Sequence, residues 1–140
     1  MSVPAKFSGG CACGAVRYEC SAEPVLSGNC HCRDCQRASG SAYGSFLFVP
    51  AAGVRLLSGE PRYYTVKGDR GYSVSRGFCG ECGSPVLGKM AKRPELVAVF
   101  AASLDDPSWH RPIIDTWTSS AQPWDFMNPA LAKHNKGLSG

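Results

Sequence analysis

GFCGECG, residues 77–83, sets Cys79 and Cys82 three positions apart, each followed by a glycine. A glycine beside a cysteine lets the backbone turn tightly and reach φ > 0. Main-chain N–H groups can then point at the sulfurs and steady them as thiolate ligands. Alone, this pair is half of a tetrahedron. The other half stands in GGCACG, residues 9–14, where Gly9, Gly10 and Gly14 frame Cys11 and Cys13. Together Cys11, Cys13, Cys79 and Cys82 supply four thiolates, the closed set of a structural zinc site. Cys13 and Cys79 lie 66 positions apart. A metal held by all four would clamp the first strand to a late one and restrict the unfolded chain.

Between the two halves the sequence reads mostly as short strands with Gly and Pro punctuation. AVRYEC (15–20) alternates, with Val16, Tyr18 and Cys20 on one face. YGSFLFV (43–49), VRLL (54–57), RYYTV (62–66), YSVSRGF (72–78), PVLGKM (85–90), LVAVFAA (96–102) and IIDTWT (113–118) follow. Several are rich in β-branched and aromatic residues and bounded by Gly, Pro, Ser or Asp. LVAVFAA is compatible with a buried helical turn, but its length and valines favour a strand. RDCQRAS (33–39), stopped by Gly40, suits a short helix. PWDFMNPALAK (123–133) has room for another short helix before a frayed tail, limited by Pro129. The pattern predicts a mainly β chain with short helical turns. With 140 residues and no linker, it is expected to form one domain over 1–140, with the motifs in about 7–127 and a tail at 128–140.

A second cluster, NCHCRDCQ (29–36), holds Cys30, Cys32 and Cys35 as C-x-C-x-x-C. Three protein ligands with a fourth position free are what a catalytic zinc requires. His31 stands between two of them and is a candidate fourth ligand that would close the site. Neighbours on an extended segment point apart, which argues against it. His110 and His134 are further candidates. Haem attachment would need C-x-x-C-H, but Gln36 and Gly83 follow the pairs. A thioredoxin-type pair would need a βαβ setting. A deaminase would need H-x-E, which the chain lacks, and its proline before the C-x-x-C, where Phe78 stands. Cys20 is left over and reads as a small buried hydrophobe.

Composition narrows the setting. Eight cysteines in 140 residues fall below the roughly 8–10% of a disulfide scaffold. No apolar run has the length of a signal peptide or a bilayer span. A cytoplasmic protein with reduced thiols is therefore expected. The net charge is +4, with basic residues scattered and the densest groups in GKMAKRP and AKHNKG. These read as solvated surface. Nucleic acid is not an expected partner, because that would need clustering on one face.

Taken together, GGCACGAVRY, CHCRDCQRASG, RGFCGECGSPV, SLDDP and QPWD, in that order, resemble the glutathione-dependent formaldehyde-activating enzyme family, which includes centromere protein V. The resemblance runs from about Gly9 to Asp125. It implies a zinc-stabilised β-tent of facing antiparallel sheets. It implies a structural zinc on Cys11, Cys13, Cys79 and Cys82 and a catalytic zinc on Cys30, Cys32 and Cys35. It implies a carbon–sulfur lyase of the S-(hydroxymethyl)glutathione synthase type, joining a glutathione-like thiol to formaldehyde. The chain departs at Asp115, in PIIDTWTSS, where family members often carry histidine. Arg33 and Arg37 flank the second cluster and are candidates for pairing with substrate carboxylates. Trp109, Trp117 and Trp124 are candidates for lining a cleft. The rival reading is a zinc-stabilised binding module without catalysis, which a fourth protein ligand at the second site would favour. A redox or metal-sensing role for Cys30, Cys32 and Cys35 is a third.

Overall fold

The computed structural model describes residues 3–68 and 71–138. The chain runs through β1 (Phe7–Gly10), β2 (Arg17–Cys20), β3 (Leu26–Cys30), α1 (Arg33–Ser39), β4 (Gly44–Pro50), β5 (Val54–Ser58) and β6 (Arg62–Lys67). It continues through β7 (Ser73–Phe78), β8 (Pro85–Met90), β9 (Leu96–Phe100), β10 (Ile114–Thr116) and β11 (Ala132–Lys133). Strands β1, β2 and β5 form a small sheet, and the other eight form a large one in the order β11-β10-β3-β4-β9-β8-β7-β6. The two sheets face each other, as the β-tent expectation required.

Strand alternation decides what each face does. Tyr18 and Cys20 of β2, with Val16 just before it, bury one face of the small sheet. They meet Leu47 and Val49 of β4, Val86 of β8, and Val97 and Val99 of β9 in a shared core. Cys20 is fully buried, the small hydrophobe its strand pattern predicted. The small sheet is tied to the segment after β9 at Gly9, which bridges to Leu104. A Cβ there would lie 2.3 Å from the Ser103 carbonyl oxygen and 2.4 Å from Tyr18 Oη. Only glycine lets β1 lie that close to this segment and to the Tyr18 ring of its neighbour β2. Nearby, Asp105 of SLDDP accepts from Ser8 Oγ at 2.7 Å and from both Arg17 terminal nitrogens at 2.8 and 2.5 Å.

Helix α1 starts and stops where its residues dictate. Cys32 caps its N-terminus, its sulfur accepting from the Cys35 N–H at 3.3 Å. Gly40 ends it at φ 68, with its N–H donating to the Gln36 carbonyl.

The structure departs from the sequence expectation in three places. Strands β1, β3 and β11 join the eight that the pattern predicts. The sheets are not wholly antiparallel, because β10 pairs in parallel with both β3 and β11. No helix forms in residues 123–133; Lys133 instead sits in β11, where its side chain is drawn to Asp115. No described helix is long and apolar enough to cross a membrane.

Candidate metal centres

Two sulfur clusters assemble, and they contain seven of the eight cysteines. The Sγ atoms of Cys11, Cys13, Cys79 and Cys82 lie within 4.8 Å of one another, and so do those of Cys30, Cys32 and Cys35. None of these cysteines is in a disulfide.

In the four-sulfur cluster, Cys11 and Cys13 leave the end of β1, and Cys79 and Cys82 leave the end of β7. The Cys11–Cys13 and Cys13–Cys79 sulfur separations are 3.7 and 3.8 Å. Four thiolates about a zinc, at Zn–S of about 2.3 Å, would stand at roughly this edge length, so the set fits the ion. The glycine framing works as the sequence implied. Gly14 and Gly83 take φ of 83 and 80. The Val16 N–H donates to Cys11 Sγ at 3.2 Å, and the Glu81 N–H to Cys79 Sγ at 3.3 Å. The Val16 N–H lowers the Cys11 thiol pKa, and Ser84 brings that of Cys82 down to about 5. Both groups are thereby biased toward the thiolate that binds metal.

The three-sulfur cluster spans the end of β3 and the first turn of α1. Phe46, Ala98 and Phe100 pack against Cys35 beneath it. Hydrogen bonds from Cys30 and Cys35 pull the Cys32 thiol down to about 2, while the same sharing raises Cys30 well above its ordinary value. The trio therefore favours a shared negative charge. Arg76, from the middle of β7, answers it: Nη2 lies 3.3 Å from Cys35 Sγ and 3.8 Å from Cys32 Sγ. Burial works against the guanidinium charge, but Cys35 and Cys32 outweigh it, and Arg76 is held more firmly protonated than usual.

Among the described residues, no histidine, carboxylate or further cysteine joins the trio. His31 turns away, as neighbours on an extended segment do. Its ring is buried, donating from Nε2 to Asp115 Oδ1 at 2.7 Å. Nδ1 lies 3.0 Å from Asp125 Oδ2, out of line for a hydrogen bond. Lys133 Nζ donates to the second Asp115 oxygen at 2.7 Å. Burial raises the Asp115 pKa, but Lys133 and His31 outweigh it and hold the carboxyl below its ordinary value. Gln36 of α1 donates to the carbonyls of His31, at 2.7 Å, and of Ser120, at 3.0 Å. The loop carrying the trio is thus fixed from behind. His110 bonds to Ser45 Oγ at 2.7 Å, and the His134 N–H donates to the Asp115 carbonyl at 2.9 Å. Neither reaches a metal cluster.

The sequence reading had no signal for Arg76, which looked like one scattered cation. Asp125 belongs to the quoted QPWD, but its contact with His31 depends on the tertiary fold. The trio opens into a cleft of about 690 Å³ on the face of the large sheet opposite the core. Arg33 lines it and donates to Gln36 Oε1. Arg37 is exposed and does not line it. Of the three tryptophans only Trp117 borders the cleft; Trp109 packs on Phe7 at 5.1 Å, and Trp124 is exposed.

Residues 6–120 match the family described as glutathione-dependent formaldehyde-activating enzyme. No curated protein matches the sequence. Among solved structures, a crystal structure of a Rhodobacter sphaeroides protein aligns with a TM-score of 0.58 at 24% identity. The alignment covers 71% of this chain and 88% of that one. That likeness bears on the fold alone. The family match takes in both cysteine clusters and Arg76, and the chain belongs to the glutathione-dependent formaldehyde-activating enzyme family.

Proposed function

We propose that the protein is a zinc-dependent carbon–sulfur lyase, working in the bond-forming direction to add a glutathione-like thiol to formaldehyde or a related small aldehyde. The observation that carries this reading is the trio of sulfurs with no further ligand among the described residues, set at the end of a cleft and faced by Arg76. Cys11, Cys13, Cys79 and Cys82 would hold a structural zinc. Cys30, Cys32 and Cys35 would hold a catalytic one. Zinc there supplies the positive charge that keeps an incoming thiol as thiolate near neutral pH.

The chain's own residues do the rest. Three thiolates carry one more negative charge than a divalent ion offsets, and Arg76 balances the surplus. Phe46 and Phe100 keep water from the inner side of the trio. Gln36, Asp115 and Asp125 hold the loop that sets the sulfur positions. Arg33 and Lys92 border the cleft and suit an anionic group carried by the thiol. In the reaction, sulfur bonds to the carbonyl carbon and the π pair moves to oxygen. The proton given up by the thiol ends on that oxygen. Nothing is oxidised or reduced, so positioning and charge suffice.

The test is the rate of adduct formation between glutathione and formaldehyde, with the spontaneous reaction subtracted. The protein is expected to accelerate it, and Cys32→Ser and Cys35→Ser to abolish the gain. Equal rates with and without protein would refute the assignment, as would variants that lose nothing.

A further inference from the structure

We infer that the thiol fitting this cleft is longer and more apolar than glutathione, an extended chain with a hydrocarbon body and an anionic far end. The inference rests on the trio being a thiol site and adds the class of thiol. One whole face of the large sheet carries it. Leu26 pairs with Phe48, Val74 with Met90 and Val66 with Val74 across adjacent strands, and all of them line the cleft. Gly88 pairs with Ala98 in the middle of this floor, and these two small residues leave a trough there. A Cβ on Gly88 would fit at ordinary contact distance, 3.4 Å from the Ser75 carbonyl oxygen and 3.6 Å from Ala98 Cβ, so a side chain there would fill the trough without displacing its neighbours.

The two ends differ from the middle. Arg76 and the trio mark one. Tyr72, four positions earlier along the same chain, marks the other, roughly 13 Å away at strand rise. There Lys92 Nζ sits 5.0 Å from the Tyr72 ring centre, with Arg93 beside it on the cleft wall. Asp34 is the one acidic residue among the described lining residues. The basic groups GKMAKRP and AKHNKG, distant in sequence, both send side chains to this cleft. The charge therefore calls for an anion. Between the ends, the floor side chains have no hydrogen-bonding atoms. A peptide thiol would bury its amides there without partners, which is costly. An alkyl or aryl chain gains from the same contact.

The experiment is calorimetric titration of the zinc-loaded protein, below micelle-forming concentrations. The probes are 3-mercaptopropionate, 6-mercaptohexanoate, 11-mercaptoundecanoate, glutathione, 11-mercaptoundecanol and decanoate. Affinity is expected to rise by roughly threefold or more per added methylene until the cleft is filled. The longest acid should then bind more tightly than glutathione. Lys92→Ala with Arg93→Ala should weaken the long acid by about tenfold and leave the long alcohol unchanged. Long and short acids binding equally, or glutathione binding most tightly, would overturn the inference. So would a dimer in sedimentation that no long thiol dissociates, since a second copy would then cover the face. Decanoate binding as tightly as the long thiol would leave the cleft assignment standing and refute the thiol reading of the trio.

Discussion

Replacing Cys13 and Cys82 together by alanine isolates what the four-sulfur clamp contributes to stability. These two cysteines are exposed, whereas Cys11 and Cys79 are buried in the core. Removing the exposed pair takes away two ligands without opening a cavity. The link between Cys13 and Cys79 spans 66 positions. On the chain-entropy relation for cross-links, closing a loop of that length is worth about 4 kcal/mol. For a domain of this size, that corresponds to a fall in Tm of roughly 10 °C or more. Urea unfolding of wild type and double variant, both zinc-saturated, reads it out directly. The midpoint should fall, and the slope should rise as the unfolded chain is freed to expand. A loss below about 1 kcal/mol would show that the sheets hold together without the clamp, and the structural assignment of the quartet would fail.

Arg76→Leu should weaken metal retention at the trio by about tenfold or more, since contacts to charged groups contribute about 1.5–3 kcal/mol. Competition with a chromophoric chelator would show one ion leaving early and the other unaffected. Gly9→Ala should destabilise by about 1–3 kcal/mol, the usual cost of overpacking; thermal melts would check it. Asp105 is held down to about 2 by Arg17 and Ser8, from an ordinary 3.8. A depressed carboxylate stabilises the fold above its unfolded value, and that contribution is lost as pH falls from about 4 toward 2. Asp105 is half exposed, so the effect is small. Asp105→Asn should flatten that acid limb in pH-dependent melts, and an unchanged limb would exclude the pair as its source.

The strands that announce themselves are those with β-branched and aromatic runs. YGSFLFV and LVAVFAA supply β4 and β9, the centre of the large sheet. LSGNC does not announce itself, because it is short, polar and interrupted by Gly28. It becomes β3 through pairing on both sides, with the Ile114 side chain 2.7 Å from where a Gly28 Cβ would stand. PWDFMNPALAK offers helix-forming residues, yet Asp125 faces the buried His31 and Lys133 reaches the buried Asp115, and those contacts fix an irregular path. Both sulfur clusters were legible because their ligands sit close together in sequence pairs with telling spacing. Arg76 and the basic end of the cleft were not. They arise from strand register, which composition does not carry.

Strand β7 touches both sulfur clusters, with Arg76 against the trio and Cys79 in the quartet three residues later, across an irregularity in its pairing with β8. Ions held by the two clusters would therefore share a single mechanical support. Loading the quartet would anchor one end of that strand and so set where the guanidinium stands when the trio fills. An engineer who grafted the trio alone onto another scaffold would leave behind the element that tunes it.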